Sequence, residues 1–356
     1  MSGGIAQLVA IGAQDAHLVG QPEVSFFRST YKRHTNFSQT VERQVIQGNV
    51  SDNGMSTVRF ERKGDLLGYV YLTPVAADGA SVTEIAPAAW DNYISKVELL
   101  IGGQVIDEHD NVFTRDIAPR IMAGNISKSV SGDMFGGSSG TSKFYPLRFT
   151  FCENWQSAIP LVGLQYHDVE LRITWGSSAK TDGLRWECYA NYAYLDTEER
   201  SMFASQPQNM IITQVQKAIA SSARIQELNF NHPVKALVSA TRLGSGEVAC
   251  VAADNRLKLQ INGTDVSDYK FADPAYTTVP AYYHTSSMDA SVGRHMFLYP
   301  LCLDVSKLQP TGSLNFSRLD SARIVNEKAL SSQDVYAINY NILRIENGMG
   351  GLMYSN

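Results

Sequence analysis

Two stretches of the chain, 160 residues apart, carry the same β-hairpin signature. Val97, Leu99 and Ile101 recur at every second position and run into Gly102-Gly103, while Leu257, Leu259 and Ile261 do the same and run into Asn262-Gly263. Period-2 apolar residues mark a half-buried strand, and both dipeptides tolerate the positive φ that a two-residue hairpin turn demands. Two further matches follow in the same order. Tyr145-Pro146-Leu147 returns as Tyr299-Pro300-Leu301, 154 residues on, and Asn191-Tyr192 returns as Asn339-Tyr340, 148 residues on. Offsets that drift by only a few residues indicate two copies of one all-β unit, because loops change length more readily than strands.

The junction is expected near Glu198 to Gln208. There Asp196-Thr197-Glu198-Glu199-Arg200 ends a strand whose apolar residues Cys188, Ala190, Tyr192 and Tyr194 alternate with outward-facing Glu187 and Asn191, and Ser205-Gln206-Pro207-Gln208 reads as a polar connector. Helix is sparse. Its best candidate, Val112 to Met122, contains Pro119, and the Gly/Ser-rich stretch Gly132 to Ser142 reads as a surface loop. Pattern alone leaves a sandwich, a jelly roll and a barrel open for each copy.

Composition narrows the function classes. With 30 basic against 35 acidic residues among 356, the net charge is −5, which argues against a surface made as a whole for nucleic acid or anionic lipid. Hydrophobic residues make up 44% and charged ones 18%, enough to bury a sizeable core. No stretch reaches the roughly 18 uninterrupted apolar residues of a membrane span, and Met1 to Gly12 lacks the plan of a signal peptide, so a soluble protein inside the cell is expected. Cys152, Cys188, Cys250 and Cys302 are scattered and read as buried thiols in a reducing compartment.

Catalytic patterns are weak. Gly136-Gly137-Ser138-Ser139-Gly140 matches G-x-S-x-G, but a Gly/Ser-rich loop with no following amphipathic helix explains it by composition. Neither Lys128 nor Lys143 follows a glycine as a phosphate-cradling loop requires, and the seven histidines are isolated. His167-Asp168, adjacent on a strand, point to opposite faces and form no acid-base pair. Asn-x-Ser/Thr triplets at Asn36, Asn49, Asn125, Asn262 and Asn315 read as chance in a chain without a secretory signal. Phe26-Phe27-Arg28, followed by Tyr31-Lys32-Arg33-His34, interleaves aromatics with bases. Such a segment either stacks on nucleic acid or packs its rings under the first domain with its cationic tips in water, and the negative net charge favours packing. No catalytic, metal-binding or cofactor constellation stands out, which leaves surfaces as the product.

The more specific residues lie in longer runs. Gly4 to Asp15, Phe26-Phe27-Arg28 and Tyr31 to Phe37 resemble the opening of the major capsid proteins of nucleocytoplasmic large DNA viruses. Ile159 to Val169 and Tyr194 to Arg200 are similar to the end of that family's first domain. Leu228 to Lys235 and Gln309 to Asp320 are similar to motifs of its second domain, and Val335 to Ile345 with Gly348 to Asn356 to its tail. The resemblance covers nearly the whole chain. It implies an all-β double jelly roll, two tandem eight-stranded antiparallel β-sandwiches, with an N-terminal arm (1–25), a first roll (26–203) and a second roll (204–356).

The resemblance further implies a homotrimer that forms a pseudo-hexagonal capsomer of an icosahedral shell around double-stranded DNA, assembled in the host cytoplasm. Its partners would be neighbouring capsomers and minor capsid proteins beneath the shell, close to an internal viral membrane, with no specific nucleic-acid contact, no cofactor and no enzyme activity. Phe26, Phe27, Arg28, Tyr31, Lys32 and Arg33 would supply the arm's contacts. The chain departs from many relatives by being short, which implies low outer loops, and Arg148 and Cys152 stand in a strand region that is more apolar in relatives. Competing readings are a minor capsid paralogue, a lectin-like jelly roll and a cupin-type enzyme, the last weakened by the lack of a histidine-carboxylate metal set.

Overall fold

The computed structural model describes residues 12–124, 126–128, 142–180, 182–221, 223–240, 255–286, 296–328 and 334–355. The chain separates into two compact units, Met1–Asn36 and Phe37–Asn356. In the smaller one, Ala16–Val19 makes a single helical turn and residues 29–36 have no regular structure.

The larger unit begins with ten strands: β1 (Phe37–Gln44), β2 (Ile46–Gln47), β3 (Met55–Arg59), β4 (Leu66–Val75), β5 (Ile94–Ile101), β6 (Gln104–Asp110), β7 (Tyr145–Pro146), β8 (Ile159–Pro160), β9 (Val169–Trp175) and β10 (Arg185–Leu195). They form two sheets, ordered β1-β10-β4-β7 and β2-β3-β9-β5-β6, with β8 beside β4. Eleven more follow: β11 (Gln208–Ala218), β12 (Ile225–Glu227), β13 (Pro233–Ala240), β14 (Arg256–Ile261), β15 (Thr264–Asp265), β16 (Lys270–Phe271), β17 (Met296–Pro300), β18 (Leu314–Asn315), β19 (Ala322–Asn326), β20 (Val335–Glu346) and β21 (Met349–Leu352). Their sheets run β11-β20-β13-β17 and β12-β19-β14-β15.

The second order is the first with its strands renamed. β11, β20, β13 and β17 take the places of β1, β10, β4 and β7, while β12, β19, β14 and β15 take those of β3, β9, β5 and β6. Eight principal antiparallel strands per sandwich, four in each sheet, make each copy a jelly roll and the unit a double one.

The three sequence matches fall on equivalent register positions. Tyr145 and Pro146 sit opposite Leu72 and Tyr71 of β4, and Tyr299 and Pro300 sit opposite Leu237 and Ala236 of β13. Asn191-Tyr192 pairs with the first strand of its roll, β1, as Asn339-Tyr340 pairs with β11. Both hairpin turns have two successive positive φ angles, 58° and 81° at Gly102-Gly103 and 49° and 78° at Asn262-Gly263, as a right-twisted two-residue hairpin requires.

Each roll has its own core. Strand β9 buries every second residue from Val169 to Trp175, and Trp90, Tyr145, Trp175 and Trp186 meet inside the first sandwich. Phe230, Leu237, Phe297 and Phe316 fill the second. At roughly 1.5–3 kcal/mol for each large side chain taken out of water, these clusters drive collapse.

Four details differ from the sequence reading. Asn191 is buried rather than outward-facing, because the register of β10 on β4 shifts between Ala190 and Tyr192, and the side chain lies over Gly68, where a Cβ would stand 2.6 Å from its Oδ1. Tyr194, expected on the inward face, is partly exposed near the strand's end. Arg148 and Cys152 are not on a strand: Cys152 lies in the helical turn Thr150–Glu153, and buried Arg148 is neutralised by Glu153 at 3.0 Å. The junction is more than a connector, since Thr197–Ser205 is helical, with the Asp196 carboxylate accepting from the Thr197 N–H and Glu198 and Glu199 favourably placed in the first turn. The expected helix near Val112 is present as Phe113–Ile117 continuing into Ala118–Ile121, with Pro119 inside the run just past the wide turn Phe113–Ile117. Residues 132–141 of the Gly/Ser-rich stretch lie outside the described residues.

The hairpin geometry gives a paired prediction. Alanine at Gly102 would be strained by its positive φ and would place a Cβ 2.4 Å from the His167 ring, whereas alanine at Gly103 would meet nothing within 4 Å. Gly103→Ala is expected to cost about 1 kcal/mol and Gly102→Ala clearly more. Urea denaturation of the two variants checks the order.

Candidate functional site

Among the described residues no group of three His, Cys, Asp or Glu side chains is arranged to hold a metal ion. The glycine-rich serine motif and Cys250 lie outside the described residues; Cys152, Cys188 and Cys302 are free thiols, and burial pushes Cys188 up to about 12. His167 contacts the Gly350 backbone at 2.8 Å, while its neighbour Asp168 turns to Arg59 at 2.5 Å and Arg62 at 3.4 Å. The two side chains serve different partners, but both residues lie just before β9 rather than on a strand, so the alternation expected of them does not apply. One histidine pair escaped the sequence reading: His109 Nε2 lies 2.8 Å from Asp107 Oδ2, both buried. The signal available was their i, i+2 spacing on one strand, which puts both on the same face.

That pair belongs to the seam between the rolls, the most extensively built site in the larger unit. The helical segment Phe113–Ile121 leaves β6 of the first roll and lays Phe113, Ile117, Ala118 and Ile121 against the second roll's Ala236, Val238, Met296, Leu298, Tyr336 and Ile338. From the other side, Ile212, Leu343 and Ile345 of the second roll join the first roll's core.

Polar groups then fix the register of the seam. Asp107 Oδ1 accepts from the Val215 N–H at 3.0 Å, and the Gln214 side-chain amide donates to the Ile106 carbonyl. Asp110 receives the Tyr336 hydroxyl at 2.6 Å and the Lys217 ammonium at 3.0 Å, and burial beside that carboxylate raises the Tyr336 hydroxyl far above its ordinary value. Thr150 and Thr213 bond through their hydroxyls at 2.9 Å.

Beside this seam lies a cleft of about 740 Å³ walled by both rolls, with Met122, Thr150, Glu153 and Asn154 on one side and Met210, Thr213, Lys235, Leu308 and Tyr340 on the other. Lys235 is the extra residue of a bulge: Val234 pairs with Asn339 and Ala236 with Ile338. Bulges re-aim a side chain out of the pleat. The residue is 1% exposed, and its ammonium donates to the Val305 carbonyl at 3.0 Å and lies 5.8 Å from the Tyr340 ring centroid. Burial lowers it to about 8, against the smaller opposing influence of Cys302 and Asp304.

The arm residues singled out from sequence are brought together only by their adjacency in the chain. Phe26, Phe27 and Tyr31 are 94%, 102% and 85% exposed, and Arg28, Lys32 and Arg33 are exposed as well. Within the arm itself, the segment has no regular structure and no surface of its own to cover the rings.

Two predictions follow from the seam and its cleft. Ile117→Ala, which empties a fully buried position between the rolls, is expected to cost about 2–5 kcal/mol in urea denaturation. For Lys235, the folded value of about 8 lies below the ordinary 10.5, so between these pH values the unfolded chain holds a proton that the folded chain has lost, and stability rises with pH. Below that window both states are charged, and burial costs of order 3 kcal/mol. Lys235→Met is expected to stabilise the protein at pH 7, and the advantage should shrink as pH rises through the window; a gain independent of pH in denaturation curves would show that the amine does not titrate there.

The match to a family model described as "Major capsid protein N-terminus" spans residues 25–196, and that to "Large eukaryotic DNA virus major capsid protein" spans residues 199–351. The chain is 34% identical to the major capsid protein of Pyramimonas orientalis virus and 30% identical to that of Paramecium bursaria Chlorella virus 1, in each case over all of both proteins. Its fold superposes on the crystal structure of PBCV-1 VP54 with a TM-score of 0.78 at 25% identity, covering 93% of this chain and all of that one. Two strand-for-strand jelly rolls joined through a buried seam, together with full-length relatives of the same kind, place this chain in the family of large eukaryotic DNA virus major capsid proteins, structural components of the virion shell.

Proposed function

We propose that three copies of this chain associate into a pseudo-hexagonal capsomer, the repeated tile of an icosahedral shell assembled in the host cytoplasm. The observation that carries this reading is the renamed strand order: two like rolls in one chain give a threefold object six similar lobes. The seam supports it, because rolls fixed by a shared core present a constant outline to their neighbours. Burial between the three chains is expected to exceed about 2,000 Å², the size of an obligate interface. Contacts between capsomers would be individually weak and multiplied by the symmetry of the shell.

The division into an arm (1–25), a first roll (26–203) and a second roll (204–356) is part of this proposal. The family matches support it by meeting between residues 196 and 199; the first strand begins at Phe37, so residues 26–36 continue the arm up to the first sheet. That arm carries Phe26, Phe27, Arg28, Tyr31, Lys32 and Arg33 on exposed backbone. Exposed aromatics interleaved with cations suit an anchor into partners with apolar pockets and acidic rims. The partners proposed are minor capsid proteins beneath the shell, close to an internal membrane. The work is structural, and no catalytic step is assigned.

Size-exclusion chromatography with light scattering tests the capsomer: a stable mass near three times 39.2 kDa is expected, and a monodisperse monomer would overturn it. A variant lacking residues 1–36 is expected to keep the trimer mass while assembling defective shells. Shells indistinguishable from those of the full chain by electron microscopy would remove the arm from the proposal.

A further inference from the structure

We propose that the cleft between the two rolls binds a peptide through a carboxylate, held by Lys235 and Tyr340. The inference does not depend on the trimer, because both walls of the cleft belong to one chain.

Three observations support it. First, the cleft holds two buried polar groups with unused hydrogen-bonding capacity. The Lys235 ammonium has three donors and makes one hydrogen bond, to the Val305 carbonyl, and the Tyr340 hydroxyl, on a residue only 7% exposed, has no partner among the described residues. Buried donors are ordinarily satisfied, and an ammonium seeks an anion most strongly. Second, Lys235 has no ion-pair partner within 4 Å among the described residues. Glu153 is held by Arg148 at 3.0 Å and Lys128 at 3.1 Å, and Asp304, which acts on Lys235 only through space, lies 3.5 Å from Lys307. A carboxylate would supply the direct ion pair that Lys235 lacks.

Third, the rest of the wall suits a peptide. Met122, Met210 and Leu308 offer apolar surface, and Asn154, Gln156 and Asn209 offer side-chain amides that can donate to and accept from peptide groups. About 740 Å³ is far more than a carboxylate alone fills, and it accommodates the few residues that would precede one. The bulge at Val234–Ala236 is the backbone device that turns a lysine out of the pleat at this point.

Saturation-transfer NMR, which reads weak complexes, tests the proposal on the full-length protein with acetyl-Leu-Ala-Leu as the free acid, the same peptide as its C-terminal amide, and sodium acetate. Transfer to the acid is expected, with affinity for the amide weaker by about tenfold. Lys235→Met should abolish binding of the acid and Tyr340→Phe should weaken it several-fold, each variant being checked for the native fold by circular dichroism and a cooperative melt. Should either variant fail that check, Lys235→Arg, which keeps the charge, is the substitute and should still bind the acid in preference to the amide. Equal binding of acid and amide, undiminished binding by folded Lys235→Met, or no transfer to the acid would overturn the proposal. Acetate binding as tightly as the acid peptide would overturn the assignment to a peptide.

Discussion

Strands β13 and β20 bury their two faces in two different cores. Val234, Leu237, Val335 and Ala337 face the second roll's interior, while Ala236, Val238, Tyr336 and Ile338 face the helical segment that the first roll sends across. A sheet of an ordinary sandwich keeps one face in water, and its strands alternate. Here the outer face is apolar and would be an exposed patch if the rolls parted. The seam is thus obligatory: the second roll completes its burial only against the first, and the first completes its own with Ile212, Leu343 and Ile345 of the second. Apolar contact supplies the attraction, and Asp107, Asp110 and the Thr150–Thr213 pair fix the alignment, since each loses its partners if the rolls slide.

The same two-sided burial explains which parts of the fold the sequence discloses. Half-exposed strands are legible: β9 alternates along its whole length, and the hairpins at Gly102-Gly103 and Asn262-Gly263 are written in turn chemistry that few other conformations accept. Strands β13 and β20 are nearly continuous in burial, so period 2 vanishes from the segments that join the rolls. The duplication survived because it rested on residues whose register is fixed by pairing, such as Tyr145 and Tyr299, rather than on overall similarity. Asn191 is misread where a bulge breaks the count by two, and Arg148 where the strand Tyr145–Pro146 ends before it. The helix at Thr197–Ser205 has its capping residue and acidic first turn in plain sight, but none of its residues is buried, so no apolar stripe announces it.

The site was less legible than the fold, for a related reason. Seam contacts such as Asp107 to Val215 join residues more than a hundred positions apart, and no local spacing encodes them. The arm gives the opposite case. Its aromatic and basic residues are conspicuous in the sequence, yet their interleaving suits a packed segment and a binding one equally, so pattern alone does not say what covers them. A chain that works by assembly leaves part of its burial for its partners, and that part reads locally as unexplained apolar surface.

Lys235 stands apart from both cases. Nothing in the packing of β13 calls for a charge there: its neighbours Val234, Ala236 and Leu237 are fully buried and apolar, and an ammonium so placed opposes folding at neutral pH. The seam achieves its alignment through Asp107, Asp110 and Thr150 without it. A residue that weakens the strand carrying it, sits on a bulge and leaves donors unused is where local rules of folding give way to another requirement. At Lys235 that conflict points into the cleft, and the cleft is the place to look for a ligand.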